Sequence, residues 1–184
     1  MRVIAGRARS LPLKTVKNME TRPTTDRIKE TLFNIINQNI PECTFLDLFS
    51  GSGGIGIEAL SRGAKSAFFV DNQKEAVSCI RDNLKFTRLS ECGNVMECSV
   101  ISAISMLESR KQYFDIVFMD PPYMNELERE TLERLAHSVI IDENSLIIIE
   151  ASLDTDFSYL KDLGYELIRE KLYKTNKHVF VQKV

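Results

Sequence analysis

From Thr44 onward the chain alternates short, almost wholly apolar runs with stretches whose apolar residues recur at helical spacing, and few folds accept such a sequence. The runs at 44–48, 66–71, 94–98, 113–119 and 145–150 are near-continuous, as strands are when both faces of a sheet are covered. Between them, 55–61, 73–85, 102–110, 126–137 and 154–163 read as helices. In the second of these, Ala76, Val77, Ile80 and Leu84 form one apolar stripe. Strands and helices in strict alternation predict an α/β fold with a parallel, doubly wound sheet. The tail breaks the pattern. Residues 165–173 and 177–181 flank Thr175-Asn176 and predict an antiparallel hairpin added at one edge.

The densest signal lies at the first strand-to-helix junction. Thr44-Phe45-Leu46-Asp47-Leu48 runs into Phe49-Ser50-Gly51-Ser52-Gly53-Gly54-Ile55-Gly56, a G-x-G-x-x-G loop in the context that motif requires. Glycines there permit a tight turn and let a ligand lie against backbone N–H groups at a helix start. NAD and FAD sites share this loop, so its neighbours matter. Asp47 would repel a pyrophosphate but suits the ammonium of a methionine moiety. Asp71 ends the second strand, where a carboxylate can bind a ribose diol or cap the following helix.

The fourth strand ends on Asp120-Pro121-Pro122-Tyr123. Each proline fixes φ at about −65° and lacks an N–H, which builds a stiff pocket. The Asp120 carboxylate and the Pro121 carbonyl can both accept from one planar amino group while the Tyr123 ring covers a base. Ligands of open α/β sheets sit outside the carboxyl ends of the strands, so the glycine loop, Asp71 and Asp120 can converge on one crevice. A ligand with a ribose and an amino-acid tail beside an amino-group clamp fits S-adenosylmethionine.

The 184 residues bound the chain to one domain, and 43% hydrophobic with 27% charged residues is a globular balance. No apolar run approaches the ~20 residues of a membrane span, and the first residues lack the apolar core of a signal peptide. Cys43, Cys79, Cys92 and Cys98 show no C-x-x-C pairing and lie far from His137 and His178, so no metal site is expected. Isolated thiols suit a cytoplasmic location. Charge is unevenly spread: residues 1–29 hold eight basic side chains against two acidic ones, in a chain with 24 basic and 26 acidic overall. A basic arm on an acidic body points to a polyanion meeting one end, and the arginines, Arg7, Arg9, Arg22 and Arg27 among them, suit phosphate. The first 24 residues read as a short hairpin or extended arm broken by Gly6 and Pro12, residues 25–40 as a lead-in helix, and 44–184 as the body.

The chain resembles the RsmD family of bacterial 16S rRNA guanine-N2 methyltransferases. The likeness is carried by Arg2-Val3-Ile4-Ala5-Gly6, by Thr21-Arg22-Pro23-Thr24-Thr25-Asp26-Arg27 with Glu30 and Phe33 following, by Asp47 to Gly53, and by Asp120-Pro121-Pro122-Tyr123. It implies a Rossmann-like class I methyltransferase fold with a seven-stranded sheet, S-adenosylmethionine as cofactor, and 16S rRNA of the small ribosomal subunit as partner. It also implies that the block from Thr21, Thr24 included, forms a lid over the cofactor, with Arg22 and Arg27 on the RNA backbone. One departure stands out. The family's Asp or Asn followed by Ala after the third strand, which meets adenine, corresponds here to Ser102-Ala103, with Ser99 competing.

On these residues the expected chemistry is an in-line methyl transfer governed by positioning. Asp120 and Pro121 would accept both hydrogens of a guanine amino group and aim its lone pair at the methyl. Tyr123 would stack on the base, which must leave its stack to enter. An adenine-N6 DNA or protein glutamine methyltransferase uses a similar clamp, an NAD-dependent oxidoreductase shares the loop, and a non-catalytic RNA-binding protein could keep the fold. A monomer is expected.

Overall fold

The computed structural model describes residues 1–16, 26–122 and 127–184. Its strands are β1 (Thr44–Leu48), β2 (Ser66–Asp71), β3 (Gly93–Glu97), β4 (Ile116–Met119), β5 (Leu146–Ser152), β6 (Tyr165–Leu172) and β7 (Asn176–Lys183). The helices are α1 (Asp26–Ile35), α2 (Gly54–Ser61), α3 (Lys74–Phe86), α4 (Val100–Ser109) and α5 (Leu127–Ala136). The sheet runs in the order β3-β2-β1-β4-β5-β7-β6. The first five strands are parallel, and β7 inserts antiparallel between β5 and β6. Order reverses across β1 and β4, which places a ligand crevice at their carboxyl ends.

Two apolar layers hold the sheet. Phe45, Phe69, Phe118, Ile148 and Phe180 pack beneath α1, α2 and α3, whereas Leu46, Val70, Val117, Ile149 and Val181 pack beneath α4 and α5. Successive residues alternate between these layers, which is why the strands read as unbroken apolar runs. No helix among the described residues is long and apolar enough to cross a membrane.

Three local expectations are corrected. Residues 154–163 form a loop with a single 3-10 turn, Ser158–Leu160, instead of a helix. Asp156 there accepts from both the amide and the hydroxyl of Ser158, at 3.0 and 2.6 Å, the side-chain competition that keeps such sequences out of helices. The lead-in helix ends at Ile35, and Asn37–Asn39 continues as a 3-10 turn, although Ile36 and Ile40 remain buried. Strand β4 begins at Ile116 and not 113, with Phe114 already in the core and stacked edge-on against Phe68.

The N-terminal arm is a hairpin-like turn docked on α2. Val3 N donates to Leu11 O and Ser10 N to Val3 O, and Arg2 bridges to Pro12. The fully buried Glu58 carboxylate accepts from Ile4 N (2.7 Å), Ala5 N (3.0 Å) and Arg62 Nε (2.8 Å), and pairs with buried Lys29 at 3.4 Å. Burial holds Lys29 below the usual lysine range, against the opposing pull of Glu58.

Candidate active site

The carboxyl ends of β1, β2 and β4 open into one cavity of about 990 Å³. Its wall includes Asp47, Phe49, Ser50, Gly51, Asp71 and Asp120. Beyond β1 the chain turns sharply, with positive φ at Phe49 (58°), Gly51 (55°) and Gly53 (76°). A left-handed phenylalanine is uncommon, and such strain gathers at functional loops. Ser50 stitches the turn down: its hydroxyl donates to Asp47 O at 2.5 Å and accepts from Val70 N at 2.9 Å. Gly51 N then points to Asp71 Oδ2 at 2.9 Å, while Gln73 N reaches Asp71 Oδ1 at the same distance. Asp71 therefore braces the glycine loop and the entrance to α3 together, and each oxygen keeps a lone pair for a diol.

Gly53 and Gly56 stand behind this wall. Gly53 is the left-handed residue that caps α2. Gly56 N donates to Asp47 Oδ2 at 2.9 Å, and a Cβ at position 56 would overlap the Phe69 ring. After β3 the wall is made by Cys98, Ser99, Val100 and Ile101. Ser99, not Ser102, faces the cavity; it caps α4 and holds Ser102 through an Oγ to Oγ bond of 2.9 Å.

Pro121 is buried and Pro122 exposed on the rim, immediately after Asp120. The carboxylates of the cavity, Asp47 and Asp71 buried and Asp120 partly so, compete. Desolvation, eased by the Gly56 N–H and aggravated by Asp71, pushes Asp47 up to about 8. Burial, then the Glu150 charge, then the Asp47 charge hold Asp120 well above the usual carboxylate range. Burial also raises Asp71. A site that disfavours negative charge until it is filled is suited to a cationic ligand.

Sequence reasoning did not find every wall residue. Met1, Thr15 and Val16 of the N-terminal arm line the cavity, as do Leu127, Glu130 and Thr131 of α5. The arm is fixed there by buried Asn83, whose Oδ1 accepts from Lys14 N (2.9 Å) and whose Nδ2 donates to Lys14 O (3.0 Å) and Ser52 O (2.9 Å). A polar asparagine inside the apolar stripe of α3 was the available signal. Among the described residues no cluster of His, Cys, Asp or Glu is arranged to hold a metal ion.

The family described as Conserved hypothetical protein 95 matches residues 1–182. A Haemophilus influenzae protein named Ribosomal RNA small subunit methyltransferase D is 32% identical over 95% of this chain and 93% of its own length. The chain belongs to the RsmD family. A Bacillus subtilis relative named "Putative rRNA methyltransferase YlbH" is 37% identical over 82% of each chain. A solved Thermus thermophilus protein of 27% identity superposes with a TM-score of 0.85, covering 99% of both chains.

The RsmD resemblance also marked the block from Thr21 to Arg27. Arg22 and Thr24 lie outside the described residues, as does Tyr123. Arg27 is exposed on α1, and Arg7 and Arg9 are exposed on the hairpin turn.

Proposed function

We propose that this RsmD-family chain transfers a methyl group from S-adenosylmethionine to the exocyclic N2 of a guanine in 16S rRNA, in the cytoplasm and as a monomer. Residues 44–184 form the catalytic body, 25–40 the lead-in and 1–24 a basic arm that meets the RNA. The observation that carries this reading is the opening of one cavity onto both Asp71 with its glycine loop and Asp120 with Pro122. The relatives named as small-subunit rRNA methyltransferases support the choice of RNA.

The cavity residues fit that cofactor: a buried acid at Asp47 for an ammonium, two partly free oxygens at Asp71 for a ribose, and Ser99 near the expected adenine. The cofactor supplies an electrophilic methyl on a sulfonium. The chain's part is to orient the acceptor. Asp120 and the Pro121 carbonyl accept the two amino hydrogens, which draws the nitrogen out of conjugation with the purine ring. Tyr123 stacks on the base, a contact worth roughly 1–3 kcal/mol. Arg7, Arg9, Arg22 and Arg27 engage backbone phosphates.

Labelled methyl transfer to purified 16S rRNA, free small-subunit particles and duplex DNA tests the reading. Label at guanine N2 of the small-subunit RNA is expected. Label at adenine N6 of DNA, or none in any RNA, overturns it.

A further inference from the structure

Strands β4 and β5 run parallel with Met119 opposite Ile149, so Asp120 and Glu150 leave that register side by side. Across the next ladder, Glu150 is paired with His178 of β7. Both are buried, at 4% and 0% exposed. Asn176 Nδ2 donates to Glu150 Oε1 at 2.6 Å, His178 Nε2 lies 3.2 Å from Oε2, and the other imidazole nitrogen lies 3.0 Å from the Tyr173 hydroxyl. A polar row from the amino clamp to the C-terminal hairpin thus runs through the face that elsewhere packs Phe118, Ile148 and Phe180. Apolar residues of similar volume would stabilise such a position at least as well. The methyl-transfer chemistry above uses none of these four side chains.

We propose that Glu150, held by Asn176 and His178, is a positioning residue for the amino clamp: its charge beside Asp120 sets the proton affinity of that carboxylate, and so the pH range of the reaction. The inference rests on the amino-methyltransferase reading. Among the described residues, the acidic groups around the clamp are Asp47 of β1, Asp71 of β2, Glu130 of α5 and Glu150 of β5. On the hairpin side Glu150 meets His178 and Tyr173, with Arg169 acting on Tyr173. Asn176 donates to Glu150, which stands beside Asp120 in the strand register, and the Glu150 charge is second only to burial in raising Asp120. An Asp120 carboxylate brought toward the working pH is a better acceptor for the amine's proton than one at about 4. Removing the Glu150 charge must therefore lower the pH at which Asp120 ionises.

The test compares the pH profile of kcat for the wild type, Glu150→Gln and Glu150→Asp on small-subunit particles. Glutamine keeps the shape and the acceptor for Asn176. The acid limb should move down by about one pH unit or more in Glu150→Gln, with KM for S-adenosylmethionine within about twofold. Glu150→Asp, which keeps the charge, should hold the limb near its wild-type position. An unmoved limb in Glu150→Gln, or equal shifts in both variants, overturns the proposal. Should Glu150→Gln not fold, carbon-13 carboxyl NMR of aspartate-labelled wild type decides, with Asp120→Asn giving the assignment. A two-step Asp120 titration ending well above the ordinary aspartate range supports the proposal, and a single step within that range overturns it. Failure of the wild type to methylate any RNA defeats the functional reading instead, and the NMR titration does not depend on it.

Discussion

Asp47 is where residue chemistry and stability meet. An ordinary aspartate in the unfolded chain ionises near about 4, whereas the folded chain holds the proton up to about 8. Between those limits the folded state binds a proton that the unfolded state lacks, so stability falls as pH rises through the window. The melting temperature of the apo protein should therefore decline from pH 5 to pH 8, and Asp47→Asn should flatten part of that decline. A ligand ammonium beside Asp47 favours the ionised form, so S-adenosylhomocysteine binding should tighten as pH approaches about 8 and release a proton measurable by calorimetry in buffers of different ionisation enthalpy. Asp47→Asn should weaken binding by about tenfold, the scale of one charge-assisted hydrogen bond. Asp120→Ala should behave in the opposite way. Transfer should fall by a factor of at least about 100 while S-adenosylhomocysteine binding stays within a few-fold of wild type, because the proposed clamp would touch the acceptor and not the cofactor. Normal turnover in that variant would rule the clamp out.

At the scale of elements, the docking of the N-terminal hairpin on α2 depends on one carboxylate. Glu58 satisfies two hairpin amides, Arg62 and the buried Lys29 together. Its removal leaves Lys29 without its counter-charge, and breaking a buried pair from one side costs about 3–5 kcal/mol. Glu58→Ala should lower the denaturant midpoint accordingly and expose residues 1–16 to proteolysis ahead of the body. The junction of β1 and α2 carries a second such dependence. Gly56 is helical and needs no special φ, but Phe69 and Asp47 crowd its Cα face. Gly56→Ala should cost about 1–3 kcal/mol by overpacking despite alanine's better helix propensity, and equilibrium unfolding would show a gain instead if the Phe69 ring yields freely.

For the whole molecule, the N-terminal hairpin spans α2 from end to end: Met1, Thr15 and Val16 line the cavity beside the start of that helix, whereas the turn with Arg7 docks on Ser61 at its other end. Exposed Arg7, Arg9 and Arg27 stand on that same N-terminal segment. Replacing all three with alanine should weaken binding to small-subunit RNA and reduce the dependence of log affinity on log salt by about two to three units, about one for each phosphate no longer neutralised. An unchanged slope would place the RNA on another face. The five parallel strands, the glycine loop and the Asp120-Pro121-Pro122 segment at the end of β4 were legible in sequence because each is a local pattern: unbroken apolar runs, glycine spacing, and prolines after an acid. Their convergence followed from topology, since a parallel α/β sheet sends those strand ends to one side. Residues 154–163 misled because apolar spacing alone hides the local bonds of Asp156. The sequence by itself thus determined the fold class and the family, and it marked the strand-end motifs that open onto the cavity. Only the tertiary structure decided that Ser99 replaces Ser102 on the wall, that Glu58 anchors the arm, and that β7 brings His178 and Asn176 to Glu150 beside Asp120. Those facts depend on strand register and on exclusion of water, which join residues far apart in the chain and leave no periodic trace in it.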